Sequence, residues 1–325
     1  MIIWWKATGP LKNNYPLTTK SLSQLNPYWV TGFSDGEACF SVGISKVKDH
    51  NLGWKITPSF SIGLHYKDLA LLEKLQSFFN GAGKIYILND SKVVFYRIKS
   101  VKDLVQYVIP HFEKYPLLTQ KRAEFLLFKQ VINLIVRKEH LTTKGLLDIV
   151  SIKASLNSGL SENLKIAFPS VVSKDRPGVP VEIQAIHPNW IAGFADGESC
   201  FFVEKSFSKT YKSGFQVRLK FIINQDSRDL VLMNLLKDYF NCGEVNVDSK
   251  GMSALIFRKF SDINTIIIPF FVKYALHSSK YADYLDFCKL ANIMESKAHL
   301  TKEGLDEIDR IKSGMNKNRF HPHLK

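Results

Sequence analysis

The sequence predicts an α+β protein in which one structural unit occurs twice. Three pairs of sequence blocks repeat in the same order, with offsets of 161, 159 and 159 residues. Alternating apolar and polar residues in both copies predict strands, and apolar residues at helical spacing predict helices around them. The three matching pairs are 26–42 with 187–203, 109–129 with 268–288, and 139–157 with 298–316.

The repeat divides the chain into two units, which we place at residues 25–158 and 187–318. Residues 159–186 lie between them and include VVSKDRPGVPVEIQAI, whose prolines and glycines are typical of a linker. Residues 1–24 are expected to form a loosely attached arm without the features of a signal peptide, and residues 319–325 a C-terminal tail.

Each unit opens with a short helix that we expect to pack against its counterpart. Asn26 suits the N-cap and Pro27 the first helical position, where the second copy has Pro188. Large residues on one helical face are expected to anchor each helix in its own unit: Trp29 and Phe33, and Trp190 and Phe194. Small residues on the other face would let the helices meet: Thr31, Gly32, Ser34 and Asp35, and Ala192, Gly193, Ala195 and Asp196.

Two predicted strands follow this helix in each unit. In the second copy, polar residues alternate with Phe215, Val217, Leu219 and Phe221. The pattern predicts a sheet with one buried face and a polar face that differs between the copies. The polar residues are Gln216, Arg218 and Lys220 in the second copy, and Lys55, Thr57 and Ser59 in the first.

The remaining elements complete an αββαββα order in each unit. A helix is predicted at 67–79, or 228–240 in the second copy, followed by strands that in the first copy lie near 84–88 and 93–99. Longer apolar-periodic helices close each unit. In that closing part, Thr142 and Thr301 are expected to cap helices after matching H-L-T blocks.

The opening helices end in matching Asp-Gly-Glu triplets that carry Glu37 and Glu198. Two such helices side by side would bring these carboxylates to one place, where like charges raise each other's pKa unless a positive charge lies between them. A divalent cation supplies that charge and suits phosphodiester hydrolysis. One isolated triplet would more simply end a helix, but two copies that open two repeats favour a functional site.

The composition favours an extended polyanion as the partner. Forty-four Lys and Arg against thirty Asp and Glu give a formal charge of +14 and a pI of about 9.4. No apolar run approaches the ~18 residues that a membrane span needs, so no membrane partner is expected. The four cysteines lack zinc-site spacing and are expected to be buried in a reducing compartment.

The motifs VTGFSDGEA at 30–38 and IAGFADGES at 191–199 resemble the two signature motifs of single-chain LAGLIDADG homing endonucleases. The resemblance extends from residue 26 to about residue 318, and the I-P-x-F and H-L-T-x-x-G-L blocks are similar to those of fungal organellar, group I intron-encoded members. It implies two pseudo-symmetric units whose four-stranded antiparallel sheets form a DNA-binding saddle. The motif usually ends in Gly, where this sequence has Ala38 and Ser199.

The resemblance also implies metal ligands. The acidic residue at the eighth motif position binds metal ions in the family, which corresponds to Glu37 and Glu198, and the preceding backbone carbonyls correspond to Gly36 and Gly197. The implied metal is Mg²⁺, with Ca²⁺ expected to occupy the site without supporting cleavage and Mn²⁺ expected to substitute for Mg²⁺.

Three further catalytic residues are implied by the same resemblance. A family glutamine that closes the second strand matches Gln225, whereas the first copy has Leu64. Family lysines near the cut match Lys121 and Lys280, which begin long helices. The two half-sites are therefore expected to be chemically unequal.

Strand alternation continued outward from the glutamates predicts which side chains face DNA. A polar strand face is by default only solvated, but the repeat and the basic charge favour contacts with base edges in the major groove. The predicted contact residues are Ser41, Gly43, Ser45, Lys55, Thr57, Ser59, Arg97 and Lys99 in the first copy, and Phe202, Glu204, Ser206, Gln216, Arg218, Lys220 and Arg258 in the second.

The resemblance implies a monomeric, mitochondrial endonuclease that supports intron homing. It would make a metal-dependent, staggered double-strand break with 3′ overhangs in a long, nearly asymmetric duplex. Two alternatives stay open: a maturase that binds group I intron RNA to assist splicing, and a sequence-specific DNA-binding regulator. Both would tolerate loss of Glu37 or Glu198, so the presence of both glutamates favours the nuclease.

Overall fold

Two helices in contact with each other, one from each repeat, form the centre of the protein. The computed structural model describes residues 24–48, 51–88, 92–179 and 185–319. The predicted arm, except residue 24, and the predicted tail after residue 319 lie outside these described residues. No helix in the described ranges has the length and apolar character to cross a membrane.

The first repeat has the predicted αββαββα order with additional short helices. Its elements are α1 (Pro27–Glu37), β1 (Ala38–Lys46), β2 (Trp54–His65), α2 (Leu69–Phe78), β3 (Lys84–Ile87), β4 (Val93–Ile98), α3 (Val101–Asp103), α4 (Ile109–Lys114), α5 (Lys121–Val136) and α6 (Thr143–Ala154).

The second repeat has the same order, which confirms the predicted duplication. After α7 (Glu162–Ala167), its elements are α8 (Pro188–Glu198), β5 (Ser199–Phe207), β6 (Phe215–Asp226), α9 (Leu230–Phe240), β7 (Glu244–Val247), β8 (Met252–Phe257), α10 (Phe260–Asp262), α11 (Ile268–Lys273), α12 (Lys280–Glu295) and α13 (Lys302–Ser313).

Each repeat contains one four-stranded antiparallel sheet, in the orders β1-β2-β4-β3 and β5-β6-β8-β7. One face of each sheet is buried on the helices of its own repeat. The ring of Phe40 packs against Phe112, Phe125 and Phe128, and the matching ring of Phe201 packs against Phe271, Tyr284 and Phe287. The predicted alternation is confirmed, since Val217, Leu219 and Phe221 are buried and Arg218 is exposed.

The predicted helix caps are present. The side chain of Asn26 accepts a hydrogen bond from the backbone N–H of Tyr28, and His187 takes this role in the second repeat. The hydroxyls of Thr142 and Thr301 accept hydrogen bonds three residues ahead, each from a glycine N–H at 3.1 Å. Matching positions therefore supply the cap acceptors in both repeats, although a histidine ring nitrogen replaces the asparagine oxygen at the start of the second.

The predicted orientation of the two opening helices was wrong for the tryptophans and for Thr31. Trp190 donates a hydrogen bond from Nε1 to Asp35 across the repeats at 2.8 Å, and the ring of Trp29 packs edge-on against His277 of the second repeat. Thr31, predicted to face the other helix, instead donates to the carbonyl of Tyr115 in its own repeat. A helical wheel shows which residues share a face but not which neighbour that face meets.

Part of the predicted linker packs on the first repeat. Residues 162–167 form α7, and the ring of Phe168 lies 5.1 Å from that of Trp54. The carbonyl of Val172 accepts a hydrogen bond from Ser151 at 2.6 Å, and Arg176 donates to the carbonyl of Ser155 at 3.0 Å. The Pro- and Gly-rich composition did not reveal these contacts, because they depend on α6 being nearby.

The cysteines are less buried than predicted. Cys288 is buried, but Cys39, Cys200 and Cys242 are half-buried. Cys39 and Cys200 lie in β1 and β5, two residues after the glutamates, where the sheets meet the central helices. The burial prediction is therefore correct for one of the four residues.

Candidate active site

The central helices α1 and α8 touch through two glycines. A Cβ atom on Gly32 would lie 2.0 Å from the carbonyl oxygen of Trp190, and a Cβ atom on Gly193 would lie 2.0 Å from that of Trp29. These distances are far below van der Waals contact, so only glycine fits at either position. The predicted close approach at Gly32 and Gly193 is confirmed, and it brings the C-terminal ends of the helices together.

The two glutamates lie side by side at this junction. A Cβ atom on Gly36 would be 3.1 Å from Oε1 of Glu198, and one on Gly197 would be 3.7 Å from Oε1 of Glu37. Each carboxylate thus rests against the glycine that precedes the other glutamate. The structure brings together the two acidic residues that the repeated motif predicted, and it leaves them half-buried.

Two lysines hold the backbone beneath the glutamates. Lys121, the first residue of α5, donates from Nζ to the carbonyl of Gly36 at 2.8 Å, and it also reaches the Ser34 carbonyl at 3.1 Å. Lys280, the first residue of α12, donates to the Gly197 carbonyl at 2.9 Å and to that of Ala195 at 3.0 Å. Both ammonium groups therefore cap the C-terminal end of the central helix in their own repeat.

Burial dominates the electrostatics of this cluster. Desolvation and, to a smaller extent, the charge of Glu198 raise the pKa of Glu37 to about 7, against the opposing charges of Lys280 and Lys121. Burial also raises the pKa of Glu198, against Lys121 and Lys280. The same desolvation lowers the pKa of both lysines. The lysines therefore compensate the carboxylate charge only in part, which favours an additional cation.

The donor set fits a hard divalent cation. Glu37 and Glu198 offer carboxylate oxygens, and the Gly36 and Gly197 carbonyls each keep one lone pair beside the lysine that they already bind. Among the described residues, no group of three or more His, Cys, Asp or Glu side chains is placed to hold a metal. A cation here would therefore need further oxygen ligands from water or a phosphate backbone.

Gln225 is engaged away from the glutamates. Its Nε2 donates to Asp229 at 3.0 Å, and its Oε1 accepts from the backbone N–H of Asp226 at 3.2 Å. On the strand it pairs with the buried Ser253, so its parity is that of the core face. Of the three residues implied as further catalytic groups, the structure places Lys121 and Lys280 under the glutamates but ties Gln225 to Asp229.

A cleft of about 490 Å³ opens beside the glutamate pair. Its walls come from both repeats, with Glu37, Leu64 and Asp68 from the first and Ser279 and Lys280 from the second. A group that enters this cleft would therefore contact the end of β2 from one repeat and the start of α12 from the other.

The predicted contact residues of the first repeat share the face of the sheet opposite the core, here called the outer face. Ser41 pairs with Ser59, Gly43 with Thr57 and Ser45 with Lys55, while Arg97 is opposite Ser61. Lys99 follows the end of β4 with the same parity. Ser59 is only 8% exposed and its hydroxyl lies 2.8 Å from that of Ser41, so it is the least accessible member of the set.

The outer face of the second sheet carries ion pairs. Phe202 is opposite Lys220, Glu204 opposite Arg218 and Ser206 opposite Gln216. Lys220 lies 3.0 Å from the Glu204 carboxylate and Arg218 lies 3.8 Å from it, and Arg258 pairs with Glu244 at 2.8 Å. In the described part of the first repeat, Lys55, Lys84, Arg97 and Lys99 form no ion pair with a carboxylate.

Some candidate residues were missed by the sequence reasoning. Lys84 and Tyr86 extend the first outer face, since they pair with Arg97 and Phe95, and Asn246 lies on the second. Strand alternation applied to β3 and β7 would have found them. The cross-repeat contacts of Asp68 and Asp229 had no signal in the sequence, because each joins residues from different repeats.

Comparison with known proteins gives one family. A family model described as LAGLIDADG endonuclease matches residues 30–132 and 191–291. Two relatives in Neurospora crassa are named probable intron-encoded endonuclease 2 and 3. The first is 39% identical and the alignment covers 90% of this chain and 68% of the relative; the second is 40% identical, with 90% and 55% covered. The chain thus spans about half to two thirds of these relatives.

A solved structure of the I-SmaMI LAGLIDADG homing endonuclease bound to cleaved DNA has a similar fold. Its TM-score is 0.88 at 45% identity, with 91% of this chain and 98% of that chain covered. I-SmaMI has also been solved on an uncleaved DNA target in the presence of calcium ions, with a TM-score of 0.87 and 45% identity. This likeness agrees with the two pseudo-symmetric units predicted for this chain.

Proposed function

The chain belongs to the LAGLIDADG endonuclease family, and we propose on that premise that it is a site-specific DNA endonuclease that makes a metal-dependent, staggered double-strand break with 3′ overhangs. The observation that carries the proposal is the meeting of Glu37 and Glu198 at the ends of the two central helices, between the two sheets. A bound Mg²⁺ would activate water and stabilise the leaving oxygen.

The residues around this junction divide the remaining tasks. Glu37 and Glu198 would hold the cation, together with the Gly36 and Gly197 carbonyls. The ammonium groups lie beneath these carbonyls and offset the carboxylate charge as the phosphate arrives. We assign this role to Lys121 and Lys280.

The partner that fits best is double-stranded DNA, bound by a monomer. One chain already carries both sheets, so a second copy is not needed to build the saddle. I-SmaMI, at 45% identity, is a DNA-bound relative. The outer faces differ in charge and residue type between the repeats, which supports a long target with little internal symmetry.

We further propose that the protein supports intron homing in a fungal mitochondrion. Support comes from relatives named intron-encoded endonucleases. The group I intron maturase remains the alternative, and it differs in one measurable respect. A maturase would keep its RNA-splicing activity after Glu37→Gln or Glu198→Gln, because RNA binding does not need the paired carboxylates.

The test is cleavage of a library of DNA duplexes in the presence of Mg²⁺. We expect the wild-type protein to select one long target and cut both strands, and EDTA to stop the reaction. Glu37→Gln and Glu198→Gln should each lower the rate of double-strand cleavage by roughly a hundredfold or more while leaving target binding intact.

The control is Glu73→Gln, which makes the same chemical change at an exposed position of α2. It should cut like the wild-type protein. Tight binding of a duplex by the wild-type protein without cleavage, in Mg²⁺ or Mn²⁺, would overturn the endonuclease proposal. Cleavage that survives both glutamine substitutions would place the catalytic centre elsewhere.

A further inference from the structure

The helices that carry the two lysines receive no hydrogen bond from the side chains of their own N-cap residues. α5 starts after Gln120 and α12 starts after Ser279, and neither N-cap side chain hydrogen-bonds to its helix. Helix N-termini leave backbone N–H groups without partners inside the helix, and a side-chain oxygen usually supplies the missing acceptor. The hydroxyls of Thr119 and Ser278 accept from the first helical N–H groups, those of Lys121 and Lys280. The N–H groups of Gln120 and Ser279, one residue earlier, have a different acceptor.

That acceptor comes from the opposite repeat in both cases. Asp68 of the first repeat accepts hydrogen bonds from the backbone N–H of Ser279 at 2.6 Å and from its hydroxyl at 3.1 Å. Asp229 of the second repeat accepts one from the backbone N–H of Gln120 at 2.8 Å. The two aspartates occupy matching positions, so the contact occurs twice across the pseudo-twofold axis.

Neither aspartate serves its own helix. Asp68 is the N-cap residue of α2 and Asp229 that of α9, yet neither side chain hydrogen-bonds to the helix that it precedes. Aspartate is among the preferred N-cap residues because its carboxylate accepts bonds from the first turn. In both repeats the aspartate therefore contacts the other repeat and does not cap its own helix. Stabilisation of α2 and α9 does not explain why an aspartate occupies these positions.

The residues that the aspartates contact are adjacent in sequence to the two lysines. Ser279 immediately precedes Lys280, whose Nζ binds the Gly197 carbonyl one residue before Glu198. Gln120 immediately precedes Lys121, whose Nζ binds the Gly36 carbonyl. A shift of either helix start would therefore move an ammonium group relative to the glutamate pair.

We propose that Asp68 and Asp229 are positioning residues: Asp68 fixes the place of Lys280 and Asp229 fixes the place of Lys121, so that each repeat aligns the lysine of the other. This inference rests on the proposed endonuclease function. Because the two lysines lie on opposite sides of the pseudo-twofold axis, each aspartate controls one of the two strand cuts.

Each aspartate has a second hydrogen-bond donor, which supports the same positioning role for both. Asp68 receives it from the Ser279 hydroxyl, and Asp229 receives it from Gln225 at 3.0 Å. The first repeat has Leu64 where the second has Gln225, and it is Gln120 that matches Ser279. Each aspartate carboxylate thus has two hydrogen-bond donors, although the second donor comes from a different position in the two repeats. Gln225 acts on Lys121 through Asp229 in this arrangement.

The test is strand-resolved cleavage of a supercoiled plasmid that contains the target, in Mg²⁺. Asp68→Asn and Lys280→Met should slow the cutting of the same strand by roughly tenfold or more, so that nicked circles accumulate. Asp229→Asn and Lys121→Met should slow the other strand. The effect should appear in kcat, with target affinity measured in Ca²⁺ unchanged.

Double variants separate a positioning role from a general one. If Asp68 acts through Lys280, the pair Asp68→Asn with Lys280→Met should cut its strand no more slowly than Lys280→Met alone. Asp68→Asn combined with Lys121→Met should instead slow both strands. Ser279→Ala keeps the backbone bond to Asp68 and removes the hydroxyl bond, so a smaller loss on the same strand is expected.

Asp238→Asn, at an exposed position of α9, is the matched control and should cut like wild type. Equal slowing of both strands by Asp68→Asn and Asp229→Asn, or a lowered melting temperature with unchanged cleavage, would overturn the positioning role. If Asp68→Asn fails to fold, Ser279→Ala decides the same question. A wild-type protein that cuts neither strand contradicts the proposed function itself, which is a different result.

Discussion

At the scale of single residues, side chains at matching positions of the two repeats make different hydrogen bonds. Trp190 donates its indole N–H to Asp35, whereas the matching Nε1 of Trp29 is buried with no hydrogen-bond partner. A buried polar group without a partner costs roughly 1–3 kcal/mol. The centre of the protein is therefore symmetric in shape but not in electrostatics, and Asp35 holds one hydrogen bond that its counterpart Asp196 lacks.

The raised pKa of Glu37 predicts a pH-dependent cost to the metal-free protein. The folded-state pKa of about 7 exceeds the ordinary value of 4.5, so between these values the folded state binds more protons than the unfolded state. Stability then falls as the pH rises through this window and stays lower above it. Glu37→Gln should raise the free energy of unfolding at pH 8 by about 1–3 kcal/mol, with little effect near pH 4.5.

Thermal unfolding in EDTA at both pH values checks this prediction. The exposed Glu73→Gln provides the comparison, since its carboxylate is not desolvated in the folded state. A Glu37→Gln protein that is less stable than wild type at pH 8 would show that the glutamate stabilises the lysines by more than its burial costs.

At the scale of elements, one turn geometry accounts for the threonine and the glycine of the H-L-T-x-x-G-L blocks. Thr142 caps α6 through the N–H of Gly145, and a Cβ atom on Gly145 would lie 2.1 Å from the carbonyl oxygen of Glu139. The second repeat has the same arrangement, with a Cβ atom on Gly304 only 1.9 Å from the Ala298 carbonyl. The glycine in this block is required by the turn that packs on the helix start.

The glycine contact between α1 and α8 predicts a large effect of a single methyl group. Gly32→Ala or Gly193→Ala would force the two helices apart, because the contact is with backbone and not with a flexible side chain. We expect a loss of roughly 3 kcal/mol or more in the free energy of unfolding. Cleavage should also fall, since the same contact brings Glu37 and Glu198 together.

Gly178→Ala is the control for this measurement by thermal unfolding. A Cβ atom on Gly178 would meet nothing within 4 Å, so its substitution should change stability by no more than about 0.5 kcal/mol. A Gly32→Ala protein with wild-type stability and activity would contradict the close backbone approach.

At the scale of the whole molecule, the charge on the two outer faces is distributed unequally. The cations on the first sheet are without carboxylate partners among the described residues, whereas those on the second are held by Glu204 and Glu244. Free cations attract phosphates regardless of sequence, whereas paired side chains are held in defined geometry beside acceptors. We expect the first sheet to contribute more to salt-dependent affinity.

Neutralising a first-sheet cation should therefore reduce the salt dependence of DNA binding. The slope of log affinity against log salt is negative, and Lys84→Gln and Lys99→Gln should each reduce its magnitude by about 0.9, the value for one lost phosphate contact. The slope is measured from binding in Ca²⁺ at several salt concentrations. Lys289→Gln, on α12 and already paired with Asp286, is the control and should leave the slope unchanged.

Periodicity and duplication determined most of the fold from the sequence alone. The αββαββα order, the buried and outer faces of β1, β2, β5 and β6, and the meeting of the glutamates all follow from patterns within one copy that recur in the other. A strand has a period of two and a helix one of 3.6, so neighbours along the chain report which residues share a face.

Only the tertiary structure decided which faces meet. Trp29 and Trp190 turned out to cross between the repeats, and Asp68 reaches Ser279 over 211 positions of sequence to hold the start of α12. Neither contact leaves a periodic trace, because its partners belong to different repeats and the distance between them depends on how α1 and α8 pack. The chain specifies its elements locally, whereas the packing of the two repeats sets the geometry of the candidate site.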